Sequence, residues 1–233
     1  MNTLHRTWQA CLALMLAVPI VGWFIYVLSG NAETYIVLIS EIGINPPESY
    51  LFSVGYTTIA VLLIPLVFSI FQRNISDMPA ESDPKLHFMN LVGLAGGLGW
   101  VIGFLLIANY DAFNDTEIHD FGAMLVFNSF LIAGIAWAYL DRRLSDAGSR
   151  SRSLTRKAFP ILSVSFLMLL MLFASHEFAH WMHPEVAGYR NLGTDRGWFF
   201  FFALVEWCLA WTLAAVFWSF EPYFSAPASD GEE

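Results

Sequence analysis

The chain reads YLFSVGYTTIAVLLIPLVFSIF from Tyr50 to Phe71, without a single charged residue. A helix rises about 1.5 Å per residue, so a run of this length crosses a hydrocarbon core of about 30 Å. Backbone polar groups cannot stay unpaired in lipid, and such a run therefore has to be helical. The stretch predicts one membrane-spanning helix.

Five further apolar stretches of similar length fill most of the remaining sequence. They are Ala10–Leu28, Asn90–Tyr110, Phe121–Leu140, Pro160–Met182 and Trp198–Phe220. Hydrophobic residues make up 57% of the chain and charged residues only 13%, which excludes an ordinary soluble domain. We predict an all-α polytopic membrane protein in which residues 1–224 form one bundle of six transmembrane helices. The polar, acidic residues 225–233 are expected to form a disordered tail.

Basic residues between the stretches are concentrated on one side of the predicted membrane. That side carries Arg6, Arg73, Lys85, Arg142, Arg143, Arg150, Arg152, Arg156 and Lys157, and the other side carries Arg190 and Arg196. Because basic loops stay in the cytoplasm, both termini are predicted to be cytoplasmic. The formal net charge of −9 gives no support to nucleic-acid binding. We therefore expect an integral, multi-pass membrane protein whose partners are membrane lipids.

The basic connection Arg142–Lys157 has two interpretations. It suits contact with anionic lipids of the inner leaflet, or with a cytoplasmic partner. It is also what an ordinary orientation signal looks like, and this simpler interpretation is the one we favour.

The predicted fifth span ends with a pattern that is typical of zinc enzymes. In His176-Glu177-x-x-His180, two imidazoles on one helix face hold Zn²⁺ and the glutamate acts as the base that activates water. Glu206 would be the third ligand. The alternative is that these side chains hydrogen-bond one another at a wet membrane interface.

Glu206 lies inside the predicted sixth span, where a carboxyl group has to be neutral, paired or bound to a metal. Its expected partners are His176, His180 or His119. His119 and Asp120 open the fourth span at the same outer surface, so these side chains are predicted to converge there. A polar pocket in the outer half of the bundle follows from this arrangement.

Two other segments predict local packing. The sequence Pro46-Pro47-Glu48 looks like a helix start, because proline is tolerated and an acid is favoured in a first turn. The apolar residues before it are expected to pack against the bundle or lie in the interface. In the third span, small residues four apart predict close helix contact; these pairs are Gly93/Gly97 and Gly99/Gly103.

Three motifs together resemble the DRAM/FRAG/SFK family of six-span membrane proteins. The motifs are Ile39-Ser40-Glu41-x-Gly43-x-x-Pro46-Pro47-Glu48, His119-Asp120-Phe121-Gly122-Ala123 and Glu206-Trp207. The family usually has Asp where this chain has Glu41, and we do not associate the His176–His180 pattern with the family. The resemblance implies a role in lipid organisation, lipid remodelling of the GPI-anchor type, or autophagy.

Three functional hypotheses remain open from the sequence. The first is a protein that binds or helps remodel a lipid at an outer-leaflet pocket formed by Glu41, Glu48, His119, Asp120, Glu206 and Trp207. The second is a metal-dependent hydrolase or acyltransferase with His176, His180 and Glu206 as zinc ligands and Glu177 as base. The third is a non-catalytic scaffold that uses the Arg142–Lys157 loop.

Overall fold

A computed structural model describes residues 3–30, 37–112, 114–146, 158, 160–171 and 196–225. Every regular element in these ranges is a helix. In chain order they are α1 (Thr3–Leu28), α2 (Ile39–Ile42), α3 (Glu48–Asp77), α4 (Pro84–Asn109), α5 (Thr116–Asp146), α6 (Pro160–Met171), α7 (Arg196–Ser219) and α8 (Glu221–Ser225). The all-helical fold class is therefore confirmed for the part of the chain that the structure describes.

Four of these helices, α1, α3, α4 and α5, are long and apolar enough to cross a membrane. They coincide with the first four predicted spans, and α6 and α7 overlap the fifth and sixth. Several helices extend beyond the apolar stretches: α3 continues to Asp77 and α5 to Asp146. Hydropathy marks the part of a helix that lies in hydrocarbon, and the helix itself continues into the polar boundary. The prediction of six spans and the prediction of cytoplasmic termini both stay predictions.

Local signals set the starts of two helices. α3 begins at Glu48, directly after Pro46 and Pro47, as the sequence predicts. α4 begins with Pro84, and the Asp83 carboxylate before it accepts a hydrogen bond of 2.9 Å from the Lys85 backbone N–H. This contact satisfies one of the amide groups that a helix start leaves without a partner.

The helices α1, α3, α4 and α5 pack as successive neighbours, and α7 packs against α1. Aromatic rings join α7 to the rest of the core. The indole N–H of Trp8 donates to the Phe217 carbonyl at 3.1 Å, and the Phe217 ring meets Trp100 edge-on with centroids 5.8 Å apart. α7 is thereby fixed against α1 and α4.

Polar contacts connect the helices at the opposite end from the α1–α3 connection. The Arg73 guanidinium of α3 donates to the carbonyls of Pro222 at 3.0 Å and Tyr223 at 2.7 Å. The buried Asn74 amide donates to the Asn90 side-chain oxygen at 2.9 Å. These bonds hold α8 against α3, and α3 against α4.

Glycines on α4 allow α5 to approach at backbone distance, both at Gly103, which belongs to a predicted pair, and at Gly96, which does not. A Cβ atom on Gly96 would lie 2.8 Å from both the Ala133 nitrogen and the Ser129 carbonyl oxygen. A Cβ atom on Gly103 would lie 2.6 Å from the Val126 nitrogen. Because the obstructing atoms are backbone, no side-chain rotation can relieve the overlap.

Gly96→Val should therefore separate α4 from α5. Overpacking of this kind costs about 1–3 kcal/mol, so we expect a lower midpoint of thermal unfolding in detergent. Ile102→Val on the same helix is the control, since Ile102 is 50% exposed on the lipid-facing side. Its effect should stay within about 0.5 kcal/mol. Equal midpoints for the two variants would contradict the close α4–α5 contact.

Candidate functional site

A cavity of about 60 Å³ lies between α1, α3, α4, α5 and α7 and is bordered by the short helix α2, near the end of the bundle where α3 begins and α4 ends. Loop charges predict this end to be the outer one. The polar lining residues are Ser40, Tyr56, His119 and Glu206. The apolar ones are Met15, Ile39, Phe52, Phe104, Ile107, Ala123, Val126, Phe127, Ala210 and Leu213. The volume is enough for a few water molecules or one small chemical group.

Glu206 projects from α7 toward the start of the short helix α2. Its Oε2 atom accepts a hydrogen bond of 2.7 Å from the Ile39 backbone N–H, and the carboxylate also accepts from the Ser40 N–H. These amides belong to the first turn of α2, where no carbonyl within the helix can reach them. Glu206 therefore acts as an acceptor for α2 although it lies far away in the sequence.

Two neighbouring contacts strengthen the same connection. The indole N–H of Trp207 donates to the Val37 carbonyl at 2.8 Å. The Glu41 carboxylate accepts from the Leu38 N–H at 3.2 Å. We call the contacts of Glu206 and Trp207 with residues 37–40 the outer clasp. The clasp explains why a Glu-Trp pair and the segment around Glu41 occur together in one sequence.

His119 is buried at the start of α5 and connects it to the end of α4. Its Nδ1 atom lies 2.8 Å from the Tyr110 carbonyl oxygen. A carbonyl can only accept, so Nδ1 carries the hydrogen and Nε2 is the acceptor of the neutral ring. The expected pairing of His119 with Glu206 is therefore not what the structure has, because backbone groups are the partners of both side chains.

Aromatic residues that the sequence analysis did not single out form one wall of the cavity. The ring centroids of Phe52 and Tyr56 are 4.5 Å apart, and those of Tyr56 and Phe104 are 5.5 Å apart. Tyr56 is only 6% exposed, and its hydroxyl makes no hydrogen bond to another residue in the described ranges. The one sequence feature that could have indicated this wall was Tyr56, which lies four residues after Phe52 on an otherwise apolar helix face.

Other predicted site residues lie near the cavity without lining it. Glu48 is fully buried, and the Ser29 hydroxyl donates to its Oε2 at 3.4 Å. Asp120 is half-buried on α5. Trp207 takes part in the outer clasp and Glu41 accepts from the Leu38 N–H beside it, and neither residue lines the cavity.

The predicted zinc site cannot be placed in this structure. His176, Glu177 and His180 lie outside the described residues, as does the loop from 147 to 157. Within the described ranges, no group of three or more His, Cys, Asp or Glu side chains is arranged to hold a metal ion. The metal hypothesis therefore stays a prediction from the sequence.

The clasp makes a prediction about Trp207. Trp207→Phe keeps an aromatic ring but leaves the carbonyl of the buried Val37 without its donor, which should cost about 1–3 kcal/mol. We expect faster hydrogen–deuterium exchange of the backbone amides from 37 to 42.

Trp211→Phe is the matched control for this exchange experiment. Trp211 lies one turn further along α7, is 47% exposed and makes no hydrogen bond within the described part of the chain. Its exchange pattern should match that of the unchanged protein. If both variants exchange alike, the indole N–H does not hold the segment.

Comparisons with known proteins identify the family of this chain. The sequence profile of the Frag1/DRAM/Sfk1/Cwh43P N-terminal domain matches residues 4–225. DNA damage-regulated autophagy modulator protein 1 of Mus musculus is 28% identical over 130 residues, which are 54% of this chain and 51% of that protein. The Homo sapiens protein of the same name is 26% identical over 130 residues, again 54% of this chain and 51% of that protein.

The chain therefore spans about half the length of the curated relatives it matches. No solved structure matches it. The domain profile covers nearly the whole sequence, and the three motifs that carry the resemblance fall within the matched residues. This integral multi-pass membrane protein belongs to the Frag1/DRAM/Sfk1 family.

Proposed function

We propose that this protein binds a membrane lipid at the outer cavity, with the lipid's polar end among Glu206, His119, Tyr56 and Ser40. The observation that carries the proposal is the amphipathic lining of that cavity. Four polar residues line a space that is otherwise apolar, between α7 and four helices long enough to cross a bilayer. Small-molecule sites have this composition, with a few polar groups in an apolar wall.

The position in the bundle favours a lipid over a water-soluble ligand. The cavity is bordered by spanning helices, and neighbouring residues on the outer surface of α5 are apolar: Phe121 is 57% exposed and Met124 is 49% exposed. A ligand that enters from this side has to come from hydrocarbon. A role in lipid organisation or remodelling, which the family resemblance implies, would use the same site.

The two alternative functions depend on other parts of the chain. A metal-dependent hydrolase or acyltransferase would need His176, Glu177 and His180, and a scaffold would need the basic loop up to Lys157. Both hypotheses stay open as sequence predictions.

Filling the cavity tests lipid binding without removing any hydrogen bond. Ala123 lines the cavity, and Ala123→Leu places three additional carbon atoms there. The purified protein should retain one lipid per chain in native mass spectrometry. In the variant, the affinity for lipid should fall about tenfold, which corresponds to about 1.4 kcal/mol, and the lipid-bound fraction should fall with it.

Met124→Leu introduces the same residue one position later, on the exposed surface of α5. This control should retain the lipid at the level of the unchanged protein. A thermal unfolding midpoint close to that of the unchanged protein shows that Ala123→Leu is folded. Lipid binding by Ala123→Leu at the original level would overturn the proposal.

A further inference from the structure

Each of the four polar groups that line the outer cavity can accept a hydrogen bond: Glu206 through its carboxylate, His119 through Nε2, and Ser40 and Tyr56 through hydroxyls that can also donate. The Glu206 carboxylate has about four lone-pair directions, of which two backbone N–H groups take up only part. His119 offers Nε2, since its Nδ1 hydrogen points to Tyr110. The Tyr56 hydroxyl has no partner within the described residues and can accept or donate. A ligand that satisfies this set has to supply several hydrogen-bond donors.

The charges around the cavity are negative. Glu206 is the one acidic lining residue, and Glu41 is close enough to interact with it electrostatically. The described lining contains neither lysine nor arginine. A phosphate group would meet a like charge and find no cation there, whereas a positively charged group finds its counter-ion.

Aromatic rings form the remaining side of this environment. Phe52, Tyr56 and Phe104 stand in succession along one wall, and the Tyr56 and Phe104 rings are stacked on each other. This apolar wall keeps water from one side of the Glu206 carboxylate, which strengthens the attraction of the carboxylate for a cation. The small volume of about 60 Å³ favours a primary ammonium over a bulkier trimethylated one.

From these three features we propose that the outer cavity binds the primary ammonium group of an amine-headed lipid of the ethanolamine type. The three N–H groups of the ammonium would donate to Glu206, His119 and Tyr56. The lipid phosphate stays outside the cavity. This inference rests on the proposed function, since it names the chemical class of lipid that the same site takes.

A headgroup comparison tests this proposal with the intact protein. Phosphatidylethanolamine, phosphatidylcholine and phosphatidylglycerol with identical acyl chains are offered in equal amounts, and bound lipid is counted by native mass spectrometry. We expect about tenfold more phosphatidylethanolamine than either other lipid, corresponding to about 1.4 kcal/mol. Equal retention of the three lipids would overturn the amine assignment and leave lipid binding itself intact. Retention of no lipid would instead refute the proposed function.

Two conservative variants test the residues. Glu206→Gln keeps an oxygen that can accept from α2 but removes the charge, and should abolish the preference for the amine lipid. Glu117→Gln is its control, since Glu117 is an exposed acid on α5. Tyr56→Phe removes only the hydroxyl and should weaken the preference, while Tyr50→Phe, at a residue 68% exposed, should not. An unchanged preference in both Glu206→Gln and Tyr56→Phe would overturn the proposal.

Free ethanolamine distinguishes a lipid headgroup from a soluble amine. At the same concentration as the lipid it should fail to displace phosphatidylethanolamine, because it lacks the acyl chains that partition into the bilayer. Displacement at equal concentration would show that the amine alone is the ligand, and the assignment to a lipid would be wrong.

Discussion

The structure depends on which groups accept hydrogen bonds from the backbone N–H groups of the four-residue helix α2, which lies close to lipid. An unpaired amide costs several kcal/mol in hydrocarbon, and the first N–H groups of any helix have no carbonyl acceptor within it. The Glu206 carboxylate of α7 accepts them instead. With its first turn fixed, α2 places Ile42 against α1 at Gly22, where no Cβ obstructs it, and Ile39 becomes a wall of the cavity. The half-buried Glu206 carboxylate thus joins α7 to the start of α2 beside the candidate site.

This use of Glu206 bears on the metal hypothesis as well. Because Oε2 already accepts from the Ile39 N–H at 2.7 Å, bidentate coordination of a zinc ion would compete with the outer clasp. Zinc ligation by one carboxylate oxygen is geometrically ordinary, so the clasp and a metal could share the residue. An ammonium ligand would not compete with the outer clasp, since it can use the lone pairs of the Glu206 carboxylate that do not accept from α2. The lipid hypothesis therefore gives Glu206 a role with the described residues alone, whereas the zinc hypothesis also needs His176 and His180.

Hydropathy and local signals predict much of the fold because they act over short distances in the sequence. Apolar runs identify the helices, Pro46-Pro47-Glu48 gives the start of α3, and glycine spacing gives the α4–α5 contact. The ends of the helices are predicted less accurately. The helix α4 begins at Pro84, six residues before the apolar stretch that starts at Asn90, because polar residues can cap a helix outside the hydrocarbon.

The candidate site is harder to predict, since its contacts join distant parts of the chain through backbone atoms. Nothing in the residue types of Ile39 and Ser40 indicates that their amides bond to a carboxylate on α7, and a histidine partner for Glu206 was the reasonable expectation from side chains alone. Tyr56 was missed for a related reason: on a membrane helix a tyrosine looks like one more aromatic core residue. Only the combination of deep burial, a hydroxyl without a hydrogen bond in the described ranges and a place beside Glu206 distinguishes it.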